Sequence, residues 1–462
     1  MRRCWSDGSR RAGRPEVDRA SQPVNRQALT RPQQHLYASG HFGISFMGYV
    51  ITQWVMKFYF PNHPGAVNLL PALMAPWVMA IGRVTDGIND PVIGYLTDSI
   101  RTRWGRRKPF MAAGLPLVCL FFLALWYPPV QAPSTANFWF SSLLLVLFFA
   151  AFTAYVGPYT ALLAEIANTT EERLRLSGLQ GVYNVGGLIA GGFVTGEVLK
   201  RGMSYQQMAA LVTVVSAVAY VMPFLGATDN PRRAAGQERP GLMRSVAMTL
   251  ANRPFRIYVG AQLLFLMGLL VIVAALPYMA ETLLHQPAGE AGTLTGISLL
   301  AGLLTVPLIL KLGERRGVKA AFLFSLRWFA AATALMALMA LFGRSPASGI
   351  WLARAVVLLP GVAVAGLFAL PYTLLANVTD YDRRRTGLDR QGMFFCVQGM
   401  ILKIAYSGAP MIVVGLLVLF ARHDFAVLTG IGPLAALLAV AAHVVFSRFP
   451  EAEVESAMDG SG

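Results

Sequence analysis

The chain has 462 residues, of which 55% are hydrophobic and 13% charged, about half the roughly 25% charged share of an ordinary soluble domain. With a mean hydropathy of +0.53 over that length, the composition excludes a soluble enzyme or nucleic-acid-binding domain and points to a chain that crosses a bilayer many times. The formal net charge of +16 belongs to the same class, because the basic residues fall mainly between apolar runs, as Lys and Arg do in cytoplasmic loops.

Residues 1–36 are polar, basic and carry Pro and Ser, and are expected to form a disordered cytoplasmic tail. About twelve apolar runs follow, each near the ~20 residues that cross the hydrocarbon as a helix. They cover 37–60, 68–98, 109–128, 137–167, 177–198, 205–227, 254–283, 290–312, 319–343, 349–377, 393–420 and 425–447. The even-numbered runs end in basic segments, "RTRWGRRK", "TTEERLR", "DNPRRAAGQERPGLMRS", "GERRGVK" and "DRRRTGLDR", whereas the opposite loops hold few Lys or Arg apart from Lys200 and Arg201. That bias predicts a multi-pass protein of the cell membrane with both termini in the cytoplasm. The inner loop 228–253, with Pro231, Gly236 and Pro240, divides the runs six and six. The expected organisation is an N-terminal six-helix bundle (37–227), a cytoplasmic linker (228–253), a C-terminal six-helix bundle (254–447) and a cytoplasmic tail (448–462). The fold class is all-α and polytopic, with two pseudo-symmetric six-helix bundles and twelve transmembrane helices. Two echoes support a duplication: "GPYTALLAE" (157–165) with "LPYTLLAN" (370–377), and "GYLTDSIRTRWGRRKPF" with "LILKLGERRGVKAAF". Each pair lies six runs apart, and repeats of this kind place a substrate site near mid-membrane, at their interface.

The second run carries its own chemistry. Arg83, Asp86 and Asp90 are spaced i, i+3, i+7 and share a helical face, with Asn89 beside them. A charge at mid-bilayer costs roughly 2.5–3.5 kcal/mol on insertion scales, so these groups should face the bundle interior or a wet cavity. Two carboxylates one turn apart repel unless Arg83, a proton or a metal cation compensates them, which makes the face a candidate cation site. Asp98, Arg101, Arg106 and Arg107 follow at the inner end of the run and are expected to form a conformation-dependent latch with Glu165 of "LLAEI", or else only to set the topology. In the fourth run Tyr155 and Tyr159, with Trp54, Phe368 and Tyr372 elsewhere, are candidate cavity aromatics. Gly186, Gly187, Gly191 and Gly192 of the fifth run predict close helix contacts. Arg327 and Arg354 lie near run ends and are expected to snorkel or cap. Lys403 lies about 15 Å into the eleventh run at helical rise, too deep for easy snorkelling, and is expected to complement Asp86 and Asp90 across the bundle interface. The three cysteines, Cys4, Cys119 and Cys396, and the six histidines form no metal-ligand spacing.

At these residues the sequence resembles the glycoside–pentoside–hexuronide:cation symporters, the melibiose-carrier-like branch of the major facilitator superfamily. "RVTDGINDPVIGYLTDSIRTRWGRRKPF" is similar to the signature that follows the second helix in that family. "YASGHFGISF" (37–46), "VTDYD" (378–382) and "VQGMILK" (397–403) are similar to its first-helix, tenth-helix and eleventh-helix segments. The resemblance implies the major facilitator fold and cation-coupled import of a saccharide by alternating access, with H+ or Na+ as the coupling ion and no other cofactor. It puts the cation ligands on Asp86, Asp90, Asn89 and Thr153, and the functional arginine and lysine on Arg83 and Lys403. Tyr159, Tyr372 and Gln398 are further candidates for substrate binding or coupling, read from this chain's own residues. The family's sugar-binding positions fall on Ser45, Val156, Gln180 and Phe368. At two of these, where galactoside carriers hold an acid, this chain has Ser45 and Val156, so the galactoside pattern is not kept. The alternative cargo is an amphiphilic solute such as a lysolipid or a drug-like compound. Expected partners are a small-molecule substrate and the lipid bilayer, with no nucleic acid and a monomeric protein.

Overall fold

In hydrocarbon every backbone N–H and C=O must be satisfied within the protein, so a chain of apolar runs folds as helices. The computed structural model describes residues 29–63, 65–99, 107–166, 170–226, 242–342, 346–387, 390–421 and 423–454. Among them the regular structure is helical: α1 (Arg31–Ala38), α2 (Gly40–Tyr59), α3 (Ala75–Ser99), α4 (Lys108–Ala124), α5 (Thr135–Ile166), α6 (Thr170–Lys200), α7 (Tyr205–Gly226), α8 (Leu242–Ala251), α9 (Arg253–Thr282), α10 (Glu290–Arg316), α11 (Val318–Ala334), α12 (Met339–Phe342), α13 (Pro346–Thr386), α14 (Gln391–Leu419) and α15 (Asp424–Ser447). A 3-10 turn at Leu335–Leu338 joins α11 to α12, so these form one span, and each expected run coincides with a helix.

Nine of these helices are long and apolar enough to cross a bilayer by length and composition. The other three spans are shorter or more polar for identifiable reasons: α4 has 17 residues, α3 carries Arg83, Asp86 and Asp90 at its middle, and α2 carries His41, Gln53 and Lys57. Helix α2 can be polar because it is largely buried among other helices rather than facing lipid.

Local signals set several ends. Asn252 caps α9, its side chain accepting the Phe255 N–H at 3.0 Å. Gly317, at φ 87°, turns the chain between α10 and α11, a conformation that glycine adopts without strain. Thr30 and Gln33 make a capping box before α1, so helix begins inside the segment expected to be a disordered tail. The tail expected at 448–462 also starts packed: Phe449 and Val454 are buried, and the Glu451 carboxylate accepts the Lys319 N–H at 3.0 Å. Within the expected linker, α8 is helical, and residues 227–241 lie outside the described residues.

Helices α2 to α7 pack on one another, as do α9 to α15, and the two sets meet through α6 with α10, α3 with α14, and α2 with α9. Counting spans, these pairs are fifth with eighth, second with eleventh and first with seventh. A shift of six spans exchanges the first two pairs and returns the third to itself, as two copies related by a pseudo-two-fold axis require. The α6–α10 seam is glycine-lined. A Cβ on Gly196 would lie 2.5 Å from the Gly289 carbonyl oxygen, and one on Gly192 would lie 2.8 Å from that of Gly292. Of the four glycines expected to mark close contacts, Gly187 (against the Phe42 backbone), Gly191 (against Tyr49) and Gly192 do so, and Gly186 has room for a side chain.

Candidate functional site

The α3–α14 pairing brings the second-span charges to the eleventh-span lysine. The Lys403 ammonium lies 3.0 Å from the Asp86 carbonyl oxygen, 3.1 Å from Asp86 Oδ1 and 2.7 Å from Asp90 Oδ2. The ammonium thus donates hydrogen bonds to the Asp86 carbonyl and to Asp90 Oδ2, and pairs ionically with Asp86 Oδ1. On the other side of the pair, the Thr153 hydroxyl of α5 lies 3.1 Å from Asp86 Oδ1 and 3.4 Å from Asp90 Oδ1. Its single proton serves one carboxylate at a time, so Thr153 senses both. Arg83 closes the cluster 3.7 Å from Asp86 Oδ2, with the Thr52 hydroxyl at 3.5 Å and its guanidinium between the rings of Phe149 and Tyr406, 4.4 and 4.9 Å from their centroids.

Two cations and two carboxylates therefore balance in one buried cluster that spans both halves of the chain. The two acids differ. Asp86 is almost fully buried, whereas the Asp90 side chain is 42% exposed. Asn89 Nδ2 and Arg83 Nε are buried without a hydrogen-bond partner, so the cluster retains unused polar capacity. What the arrangement can do follows from its donor set: the oxygens holding the Lys403 ammonium are hard ligands of the kind that bind a proton or an alkali cation. No group of three or more His, Cys, Asp or Glu capable of holding a metal occurs among the described residues.

The remaining sequence candidates lie apart from this cluster or are already engaged. Ser45 donates to Asn184 Oδ1 at 2.6 Å across α2 and α6. Tyr159 is fully buried; its hydroxyl donates to the Tyr37 carbonyl at 2.8 Å and accepts from the Gln180 amide at 3.3 Å. Trp54 and Tyr155 are likewise buried and bonded, to Thr195 and to the Tyr220 carbonyl. Val156 and Phe368 are half-buried, and Tyr372 is 68% exposed. Gln398 donates to the Tyr258 hydroxyl at 2.8 Å and to Gln262 Oε1 at 2.6 Å, and Tyr258 in turn donates to the Pro371 carbonyl at 3.1 Å. Of the expected inner latch, Arg101 and Arg106 and the side chains of Asp98 and Glu165 lie outside the described residues; Arg107 stands at the start of α4.

Sequence reasoning missed the seal at the helix ends away from the termini. Lys57 of α2 is buried, pairs with Glu281 of α9, donates to the Pro61 carbonyl at 2.6 Å and lies 4.4 Å above the Tyr278 ring. Tyr278 donates to the Phe60 carbonyl at 2.9 Å, and the Asn62 amide reaches Asp424 at 3.1 Å. Buried Glu290 of α10 joins Lys200 of α6 at 3.2 Å and Arg354 of α13 at 2.9 Å, so Arg354 is paired rather than snorkelling. Lys57–Glu281, Tyr278–Phe60, Asn62–Asp424 and Lys200–Glu290 join the two halves at the same face, and Arg354 holds Glu290 in place from within the second half. Between that seal and the Asp86 cluster, Gln53 of α2 is 1% exposed, with both amide atoms unpartnered. Tyr49, Gln53 and Lys57 fall at i, i+4, i+8 on one face of α2, a pattern the apolar residues between them hide in the sequence. Lys57→Met removes one partner of the buried pair and is expected to loosen the seal, because a lone buried charge costs several kcal/mol. Spin labels at the exposed positions His63 and His423 should then move apart; an unchanged distance distribution would make Lys57 a packing residue.

Residues 36–430 match the family described as MFS/sugar transport protein. An uncharacterized symporter of Synechocystis is 22% identical over 480 residues, covering 82% of this chain and 85% of that protein. The sphingosine-1-phosphate transporter MFSD2B of Mus musculus is 23% identical over 395 residues, covering 80% and 78%. Among solved structures, the nucleoside transporter NupG shares the fold with a TM-score of 0.66 at 12% identity, over 91% of this chain and 99% of that one. With a matched region that takes in both halves and the charged cluster between them, the chain belongs to the MFS/sugar transport protein family, a family of polytopic membrane transporters.

Proposed function

We propose that the protein is a cation-coupled symporter that works by alternating access, in the manner of the glycoside–pentoside–hexuronide:cation symporters. One observation carries this reading: Lys403 from the second half sits between Asp86 and Asp90 of the first, in a three-oxygen cradle. The ammonium holds the position that a proton or Na+ would neutralise. When Lys403 leaves, the two carboxylates need another positive charge, supplied by the coupling ion on Asp86 and Asp90 with neutral oxygens from Thr153 and Asn89. Cation binding then weakens the tie between α3 and α14, and the rocking of the two halves depends on occupancy. The seal through Lys57, Glu281 and Glu290 lies at the face away from the termini, so with cytoplasmic termini this conformation is closed to the outside.

The cargo in the first reading is a saccharide or glycoside, in line with the family's description. A second reading, an amphiphilic solute with a polar head, is favoured by the side chains at Ser45 and Val156. The Ser45 hydroxyl is taken up by Asn184, and Val156 has no side-chain acceptor for a sugar hydroxyl. The similarity to a sphingosine-1-phosphate transporter supports the same reading. The test is uptake into proteoliposomes across a panel of sugars, glucuronides and lysolipids, with pH and Na+ gradients imposed separately. One class should accumulate against its gradient under one of the two ions. A panel that equilibrates alike with and without either gradient would remove the coupling claim.

A further inference from the structure

A groove of about 430 Å³ lies between α10 and α11, far from the charged cluster, and carries two arginines. Arg316 is the last residue of α10, and Arg327 lies nine residues into α11, about 13 Å along the helix at 1.5 Å per residue. Both are exposed. Neither has a hydrogen bond or ion pair among the described residues, and no Asp or Glu lines the groove. Outside the groove lining, the Glu451 carboxylate sits at the α10–α11 turn beside Arg316, where it accepts the Lys319 backbone N–H, and His443 of α15 acts on Arg327 and adds no negative charge. An arginine at that depth in a spanning helix is costly without a counter-ion, even when it bends toward the interface.

The rest of the groove is apolar and shaped by aromatic rings. Phe324 and Trp328 lie side by side with their rings tilted by 33° and centroids 6.0 Å apart. The Trp328 indole N–H donates to the Leu359 carbonyl of α13 at 2.8 Å, which fixes that ring as a wall. Leu312 and Ala331 extend the apolar lining along α10 and α11.

We propose that this groove binds an anionic phospholipid of the bilayer. Its phosphate is shared by Arg316 and Arg327, and an acyl chain lies along Phe324, Trp328 and Ala331. Guanidinium groups pair with phosphate through parallel N–H donors, and basic pockets between membrane helices are suited to anionic headgroups. The lipid is a bound component, not cargo, so this site stands or falls apart from the transport reading. It also supplies the counter-ion that the sequence leaves Arg327 without.

The test is thermal unfolding and native mass spectrometry of the full chain in detergent, titrated with phosphatidylglycerol, phosphatidylcholine or inorganic phosphate. Phosphatidylglycerol should raise the unfolding temperature and remain bound, while phosphatidylcholine and phosphate should do neither. Arg316→Gln and Arg327→Gln should each weaken phosphatidylglycerol binding by about tenfold, the loss of one charge-assisted contact. Arg316→Gln, at an exposed helix end, keeps the test readable if Arg327→Gln folds poorly. Equal stabilisation of wild type and Arg316→Gln by phosphatidylglycerol, or equal protection by phosphatidylcholine or free phosphate, would overturn the proposal.

Discussion

Asp86→Asn is expected to abolish concentrative uptake and to destabilise the protein by about 3–5 kcal/mol, the cost of breaking a buried charge pair from one side. The carboxylate is 4% exposed and is the shared partner of Arg83, Lys403 and Thr153. Its neutral amide leaves Arg83 buried between two aromatic rings with no anion, and leaves Lys403 with one carboxylate instead of two. Asp90→Asn is the informative contrast. Its side chain is far more exposed, so its pair with Lys403 is only partly buried, and the cost of losing an ion pair falls toward about 0–1 kcal/mol as the pair becomes exposed. It should therefore fold nearly as well as the wild type yet lose the dependence of uptake on the cation gradient. Thermal unfolding and uptake measured on the same preparations separate the two effects. Equal destabilisation by both variants would contradict the division of roles between the buried and the exposed acid.

Lys403→Ala has the second largest expected effect, and its sign is distinctive. If the ammonium and the coupling ion share the same oxygens, removing the ammonium removes a competitor. The apparent affinity of the substrate-free protein for its cation should rise by about tenfold, within the 1–3 kcal/mol typical of coupling between sites. At the same time the two halves lose the tie between α14 and α3, and uptake should become slow or uncoupled. Calorimetric titration with Na+ and with protons reads the first effect, and uptake under imposed gradients reads the second. An unchanged cation affinity with normal coupled uptake would make Lys403 a packing residue.

Much of this architecture was legible in the chain, and the illegible parts share a physical reason. Apolar runs near 20 residues and alternating loop charge predict the spans, because the bilayer sets both. Arg83, Asp86 and Asp90 stand out because charge is rare where hydrocarbon surrounds a helix, and the depth of Lys403 in its run predicts a partner in place of snorkelling. The six-run echo predicts a duplication with a site at the interface of the two copies, and the α3–α14 pairing brings Lys403 within reach of the two aspartates there. The seal was not legible. Lys57 lies near a run end, where a lysine is usually explained by the interface, and its partner Glu281 is 224 positions away. Glu290 is similar: its partners Lys200 and Arg354 come from two other helices, and each alone reads as a terminal charge. Ser45 and Gln180 look like free polar groups in the sequence because Asn184 and Tyr159 reach them only through tertiary packing. The capping box at Thr30 and Gln33 was readable, yet the basic composition of the first 36 residues dominates that segment. Gln53 shows the opposite limit, since a polar residue in an apolar stretch gives no sign of whether the fold will satisfy it.

Conversion of a cation gradient into uptake is assigned to the carboxylate pair held by Lys403. Uphill uptake in proteoliposomes by the wild type and Asp90→Asn, with Na+ and pH gradients imposed one at a time, decides this assignment. One gradient should drive accumulation by the wild type, and Asp90→Asn should equilibrate the same solute without accumulating it. Accumulation by Asp90→Asn to the wild-type level, under the same gradient, would contradict it.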